Sequence, residues 1–537
     1  MSATSPRSAT PPGGRYDVLT GELVVNPDAG ELGVSSEREG LLPPADVTAT
    51  AEVAPVTEVA PPAEVTAAVD VGLALPPAPA VAPPPAHTVA LAPRPAIERD
   101  LAADGRLSRR GLTALGGVVA GAALIAVAAA HTESLLPESI RPVPASLAGA
   151  FGSLFLNLHV GGAIAALVLL FMSYAAVVAL SGQLSARVVL LAIVAVHGLV
   201  LLAPPLASTD VFSYQAYARM GAVYGINPYT HGPYANSPDP VFQYVGAKWS
   251  TIPSAYGPVF TVFSYLLAPL TIATSVYAYK SIAAVASLAL VAVVWRCAQL
   301  RGADPVKAAA LVGLNPLLVI YGVGGGHNDL LMLLAMVGGI YAILASRERV
   351  GGALTVLAIG VKLTAGLVLP FALAAGGSGP RTRDARRRLA LGAGIGLAAL
   401  AALSFGVFGA GSVHMLGAVI KSQSEGDWLS IPGVISSKLG MPGVGRVAGF
   451  VLAAAFALTL FWLLRRVWRG QMDWVAGAGW AMLAMLVASS SLLPWYVAWL
   501  LPLAALGRDR RLATTAIVFT GIVQGITLLG YIPHGFL

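Results

Sequence analysis

Apolar stretches separated by short basic loops run along this chain from about residue 112 onward. A helix needs about 20 apolar residues to cross a bilayer. The stretches at 112–130, 153–179, 187–205, 276–298, 306–322, 328–346, 388–409, 443–466, 473–491, 495–507 and 511–531 are read as membrane helices. Two further runs, 258–272 and 350–374, break the pattern. Taking each as one crossing would put Arg296, Arg301 and Lys307, or the run Arg381–Arg388, on the opposite side from the other basic loops. Cytoplasmic loops are the ones that collect Lys and Arg. The conflict disappears if 258–272 enters and leaves on the outer side and 350–374 is a broken pair of short helices turning at Lys362. Irregular backbone at membrane depth is tolerated where protein buries it or a cavity is lined by it. The expected fold is an all-α integral membrane protein with roughly 11–13 membrane segments. Its N-terminus is expected in the cytoplasm of a cell with the chain in the plasma membrane, and its C-terminal IPHGFL outside.

Residues 1–105 differ in kind. They are rich in Pro, Ala, Val and Glu, with PPAPAVAPPPA at 76–86, and carry no cleavable signal pattern. Such a segment buries too little apolar surface to offset its ordering entropy. It is predicted to be a disordered cytoplasmic tail, with a partner-binding polyproline II segment as the alternative. Residues 106–537 then form the membrane domain.

Composition agrees. The chain has 537 residues, 56% hydrophobic and 11% charged, against about 25% charged in soluble domains. The net charge of +7 lies in short loops between apolar runs, so it does not indicate nucleic acid. The single cysteine, Cys297, excludes an intrachain disulfide and a Cys-based metal cluster.

This topology sends four polar segments to the outer face: 206–257, 324–329, 410–442 and 490–496. The first contains STDVFSYQAYARMGAVYGINPYTHGP at 208–233. Asp210 stands where the chain leaves the membrane. It suits a general base, and it also suits a helix N-cap; the two roles are compatible. Arg219 follows Tyr214 and Tyr217 and can grip a phosphate with two hydrogen bonds, or snorkel to headgroups. Tyr229, in Asn227-Pro228-Tyr229, is turn chemistry first and a candidate sugar-stacking ring second.

Gly324-Gly325-Gly326-His327-Asn328-Asp329 allows close backbone approach and opens the next helix. His327 and Asp329 can position a hydroxyl; two ligands are too few for a convincing metal site, so no metal is assigned. Lys362 is an ionisable residue inside an apolar run, a functional position by default. A phosphate counter-charge is the preferred role, and pairing with Asp329 or Asp210 the structural one. Trp428, Trp495 and Tyr496 suit a sugar site or an interfacial aromatic belt.

Taken in order, STDVFSYQAYAR…GINPYTHGP, SAYGPVF, LNPLLVIYGVGGGHND, VKLTAGLVLPF and LLPWY resemble the actinobacterial polyprenol-phosphate-mannose-dependent alpha-(1→6)-mannosyltransferases, which are GT-C membrane glycosyltransferases. HTESLLPESIRP at 131–142 fits the same pattern, and the resemblance covers roughly 110–537. It implies a GT-C multi-helix bundle with a long first external loop, 206–257. It also implies a polyprenyl-phosphate mannose donor, a lipid-anchored mannan acceptor, and an inverting transfer outside the membrane with Asp210 as base. Arg219 and Lys362 would neutralise the phosphate, and His327 and Asp329 would orient a sugar. Where the family has a basic residue just before this aspartate, the chain has Thr209. The lipid phosphate carries the activation, so no cofactor is expected; neither a Walker-type loop nor a dinucleotide fingerprint occurs. A lipid-linked-sugar flippase is the rival, for which internal repeats and midplane polar groups would be the marks. A related transferase using another sugar is a second alternative.

Overall fold

The computed structural model describes residues 15–16, 23–24, 108–375, 380–424 and 429–530. The predicted tail falls largely outside these residues, as do Trp428 and IPHGFL. The chain divides into Met1–His87 and Thr88–Leu537. In the first unit the described structure is an antiparallel pairing of Arg15–Tyr16 with Leu23–Val24.

The second unit is helical. In chain order it contains α1 (Arg109–Ala128), α2 (His159–Ala179), α3 (Ala186–Leu202), α4 (Asp210–Ala222), α5 (Pro258–Tyr265), α6 (Ile272–Arg301) and α7 (Pro305–Gly313). Then follow α8 (Asp329–Leu344), α9 (Glu348–Val361), α10 (Val368–Ala374), α11 (Pro380–Phe408), α12 (His414–Ser424), α13 (Ile431–Ser437), α14 (Pro442–Trp468), α15 (Trp474–Ala488), α16 (Leu501–Leu506) and α17 (Arg510–Leu529). Caps set many of the starts. Asp304 accepts from Val306 and Lys307 amides, Asp473 from Ala476, and Asp509 from Arg511. Each satisfies an amide that the first turn leaves unpaired.

Among the described residues six helices are long and apolar enough to cross a membrane: Arg109–His131, His159–Ala179, Ile272–Arg301, Thr382–Lys421, Pro442–Trp468 and Arg510–Leu529. The pair Pro305–Gly313 and Leu317–Val323 is apolar enough when taken together but bent by 49°, as in a broken span or a re-entrant loop. The remaining predicted stretches form shorter apolar helices, Ala186–Leu202, Asp329–Leu344, Leu363–Ala374, Trp474–Ala488 and Pro494–Leu506. They are short because polar side chains and prolines interrupt them. At the bend, Pro316 supplies no amide, and the Asn315 side chain accepts from Leu317 and Leu318 amides while donating to Tyr174 and Thr520. Leu317–Val323 continues as a π-helix, a form often found at functional sites.

The second break falls at Lys362, whose backbone is extended (φ −152°, ψ 126°) between α9 and Leu363–Leu367. This is the turn expected from the charge pattern. The run 258–272 also divides, into the 8-residue α5 and a non-helical link to α6. The start of α5 touches the break at Lys362: the Gly257 amide donates to Val361 O at 3.0 Å. A Cβ on Gly257 would lie 2.2 Å from Gly360 O, so only glycine permits this approach. It brings Tyr256 beside Lys362.

Basic residues gather at one set of helix ends. There Arg301 pairs with Asp473 at 2.7 Å, and Arg508 donates to Arg301 O at 3.3 Å. The helix α15 starts at this end and finishes beside the turn 489–496, which belongs to the site.

Candidate functional site

The α3–α4 corner carries the first site residue. Pro204 and Pro205 end the helix, and the chain is tied down by Leu206 N to Gly324 O (3.1 Å) and Ala207 N to Leu135 O (3.0 Å). Lys280, wholly buried on α6, donates to Ala203 O and Pro204 O. Those carbonyls lack amide partners once the helix has stopped, and the lysine amino group satisfies two at once. The same lysine packs against Gly326, whose φ of +68° turns the chain into His327. One buried lysine therefore supports both segments that carry acid–base groups.

Asp210 is the first residue of α4. Thr209 occupies the N-cap position and makes no side-chain cap bond; the Asp210 amide is held by Ser208 Oγ at 3.2 Å. The carboxylate is thus free for other partners. His327 Nδ1 lies 3.4 Å from Asp210 Oδ2 and 3.9 Å from Asp329 Oδ2, so one ring nitrogen faces two carboxylates. Burial of Asp210 pushes its pKa up, but the hydrogen bond and charge of His327, the Lys362 charge and the Tyr256 hydroxyl outweigh it and hold the group below the usual value. Only 13% of the side chain is exposed, and that part faces the clefts described below.

Asp329 opens α8. Its Oδ1 accepts from Lys362 Nζ at 2.8 Å and from Trp499 Nε1 at 2.6 Å. The Lys362 ammonium sits 4.7 Å from the Tyr496 ring centre and 5.0 Å from that of Trp499, within cation–π range. Those rings stack at 4.1 Å, and Trp495 stacks on His327 at 4.0 Å. Behind them, Tyr214 donates to Asn328 Oδ1 at 3.3 Å and meets Tyr256, Phe260 and Tyr279 edge-on. Burial and the Asp210 and Asp329 charges push the Tyr214 hydroxyl far above its usual pKa, so it stays neutral.

Two clefts meet at Asp210. One, about 830 Å³ including its mouth, is bordered by Asp210, Tyr217, Tyr256, Lys362, Tyr496 and Trp499. The other, about 870 Å³, is bordered by Asp210, Glu138, Arg141, Thr209, Trp249 and Trp495. Among the described residues no group of three or more His, Cys, Asp or Glu side chains is placed to hold a metal.

The structure therefore brings Asp210, Tyr214, His327, Asp329, Lys362, Trp495 and Tyr496 together. It places Arg219 elsewhere: its guanidinium bonds Asp239 at 2.7 Å and Ala268 O at 3.1 Å, and it borders neither cleft at Asp210. Tyr229 is buried and reaches the site only through a 2.9 Å bond to Tyr256 O. Trp428 lies outside the described residues. The sequence reading missed Tyr256 as a site residue, and Trp499 and Lys280 altogether. Trp499 had a signal in its position just beyond LLPWY; Lys280 had one as a charge within an apolar helix.

Fold and cluster define a multi-pass helical membrane protein with paired carboxylates at one end of its bundle. Residues 112–376 match the family model "Alpha-(1->6)-mannopyranosyltransferase, N-terminal domain", and residues 435–533 match "MptB C-terminal domain". The chain belongs to this alpha-(1->6)-mannopyranosyltransferase family. It is 30% identical over 344 residues to alpha-(1->6)-mannopyranosyltransferase A of Mycobacterium tuberculosis, which covers 59% of this chain and 65% of that protein. With the Corynebacterium glutamicum protein of the same name it shares 27% identity over 172 residues, 32% of this chain and 35% of that one. A probable alpha-(1->6)-mannopyranosyltransferase of Mycolicibacterium smegmatis is 36% identical over 133 residues, 24% of each chain. The chain thus matches just under two thirds of the first relative's length and smaller parts of the other two.

His327 gives the site a testable coupling. Replacing it with Gln keeps a donor but removes the charge that helps hold Asp210 ionised. The expected result is that the acid limb of the turnover profile moves to higher pH, because a base with a raised pKa protonates earlier as pH falls. A pH series of kcat/KM in membranes measures this, and an unmoved acid limb argues against the coupling.

Proposed function

We propose that this chain is a membrane transferase that moves mannose from polyprenyl-phosphate mannose to a mannan or lipoglycan acceptor, forming alpha-(1→6) links on the extracytoplasmic side. The observation that supports this reading is the place of Asp210: it borders both clefts, so a donor in one and an acceptor in the other would both reach it. In the reaction the acceptor hydroxyl gives its proton to Asp210, and its oxygen attacks the anomeric carbon. The bond from that carbon to the phosphate oxygen breaks, and the lipid phosphate departs with the electron pair. Attack opposite the leaving group inverts a beta-linked donor to an alpha product.

The cleft beside Lys362 takes the donor, since a phosphate there meets the ammonium that Asp329 positions. The cleft with Glu138, Arg141 and Trp495 takes the acceptor sugar, offering hydrogen-bond groups and a ring face. With Arg219 engaged by Asp239, Lys362 supplies the counter-charge to the leaving group.

Membranes containing the chain are expected to transfer radiolabelled mannose from polyprenyl-phosphate mannose to short alpha-mannosides. Absence of transfer from that donor, at verified protein level, sinks the reading. The orientation has its own check. In a Cys297-free background, a cysteine replacing Ser237 is expected to label from outside, and one replacing Asp384 from inside. Inside labelling at 237 would reject the extracytoplasmic site.

A further inference from the structure

We propose that the groove between α14, α15 and α17 is a binding site for one anionic phospholipid, with its phosphate held by Arg466 and Arg511. The groove encloses about 1160 Å³ including its mouth. Its walls are apolar for most of their length, with Leu452, Ala455 and Phe456 on α14 and Leu483, Ala484 and Val487 on α15. From Leu452 to Arg466 it follows the helix for about 21 Å at about 1.5 Å per residue. One leaflet of a hydrocarbon core is about 15 Å deep, half of about 30 Å. The groove therefore has room for an acyl chain below a headgroup.

Its chemistry changes at the basic end. There Arg466, Arg511, Trp462, Trp480 and Asp509 line it. Asp509 offsets part of this charge, its two oxygens also accepting from Trp480 Nε1 at 2.9 Å and from the Arg511 amide at 2.9 Å, but one carboxylate against two guanidiniums leaves this end of the groove net positive. Arg466 lies over the Trp462 ring at 4.9 Å, which orients the guanidinium without neutralising it. Neither guanidinium donates a hydrogen bond to a described residue. The nearby acid Asp473 is paired with Arg301. Two guanidiniums with their donors open, that of Arg466 held over Trp462, above an apolar channel complement a phosphodiester with a fatty tail. Two tryptophans at the boundary are the usual anchors of an interface. This end belongs to the basic loops, where anionic lipid of the cytoplasmic leaflet is attracted.

The occupant differs from the proposed donor in the end of the bundle where its phosphate is held. A lipid-linked sugar would place its phosphate at Asp210 and Lys362, whereas these cations sit at the far end of α15. The site is thus separate from the transfer chemistry and stands without it.

The test uses the full chain in lipid nanodiscs with brominated-acyl phosphatidylglycerol titrated into phosphatidylcholine. Bromine quenches tryptophan by contact, and a Trp462→Phe, Trp480→Phe variant identifies the groove's share of the signal. Half-maximal quenching of that share is expected at a phosphatidylglycerol fraction at least about tenfold lower than for brominated phosphatidylcholine. The Arg466→Gln, Arg511→Gln variant is expected to erase the difference. Ala455→Phe, which fills the apolar channel without adding a tryptophan and leaves both guanidiniums in place, is expected to weaken binding comparably, and it keeps the test open should the arginine variant fold poorly. Equal quenching by the two lipids in the unaltered chain overturns the proposal. So does cross-linking from a cysteine at position 455 to a second copy of the chain, since the groove would then be a protein interface.

Discussion

Asp210→Asn is expected to lower mannosyl transfer by at least about 100-fold while protein abundance stays near normal, since general-base contributions typically run from about 10² to 10⁴-fold. The substitution preserves size and an oxygen that accepts from Tyr256 and His327. It removes only the ability to take a proton. The structure also weakens the competing explanation, because helix capping at this position is not made by the Asp210 side chain: Thr209 holds the cap place. Asp210→Glu is expected to recover little. Its carboxylate moves by about a methylene, and near-attack geometry tolerates small displacement poorly. Transfer rates in membranes, normalised to chain abundance, decide the matter. Near-normal turnover in Asp210→Asn would reject the base, and Asp329, the other carboxylate facing His327, would be the next to test.

Helical class and most of the site cluster were legible in the sequence because their signals are local. Apolar runs declare helices, and a charge such as Lys362 inside such a run declares a constraint. Charge bookkeeping alone located the break at Lys362, since no continuous helix there satisfied the loops on both sides. Segment length was less legible. The stretch 306–322 reads as one span, yet Asn315 and Pro316 bend it, and what holds the bend are Tyr174 and Thr520, more than a hundred residues away in each direction. Partner choice was least legible. Nothing near Arg219 in sequence announces that Asp239 will take its guanidinium, because that pairing is set by how the external segment folds back. The partner of Trp499 was equally hidden: its indole donates to Asp329, 170 residues earlier, and no periodicity reports such a contact. Lys280 shows the converse, a visible signal whose meaning needed the fold. A lysine on an apolar helix invites a substrate role, and here it serves two backbone carbonyls at the corner before Asp210.

The pair Lys362–Asp329 separates structure from chemistry. Asp329 is 1% exposed and Lys362 13%, so removing the ammonium leaves a carboxylate buried without its cation. Such an unpaired buried charge typically costs about 3–5 kcal/mol. Lys362→Met is therefore expected to lower thermal stability sharply, read by tryptophan fluorescence in detergent, and to lower transfer as well. By itself that result does not tell a structural lysine from one that meets the phosphate. The double variant Asp329→Asn, Lys362→Met does. It removes both charges, and the Asn oxygen still accepts from Trp499, so most of the lost stability is expected to return. Transfer is not expected to return with it, because the developing charge on the departing phosphate has lost its cation, and one preorganised electrostatic contact of this kind is worth about 10²- to 10³-fold in turnover. Recovery of stability together with transfer would make Lys362 only the partner of Asp329, and the leaving phosphate would need another counter-charge.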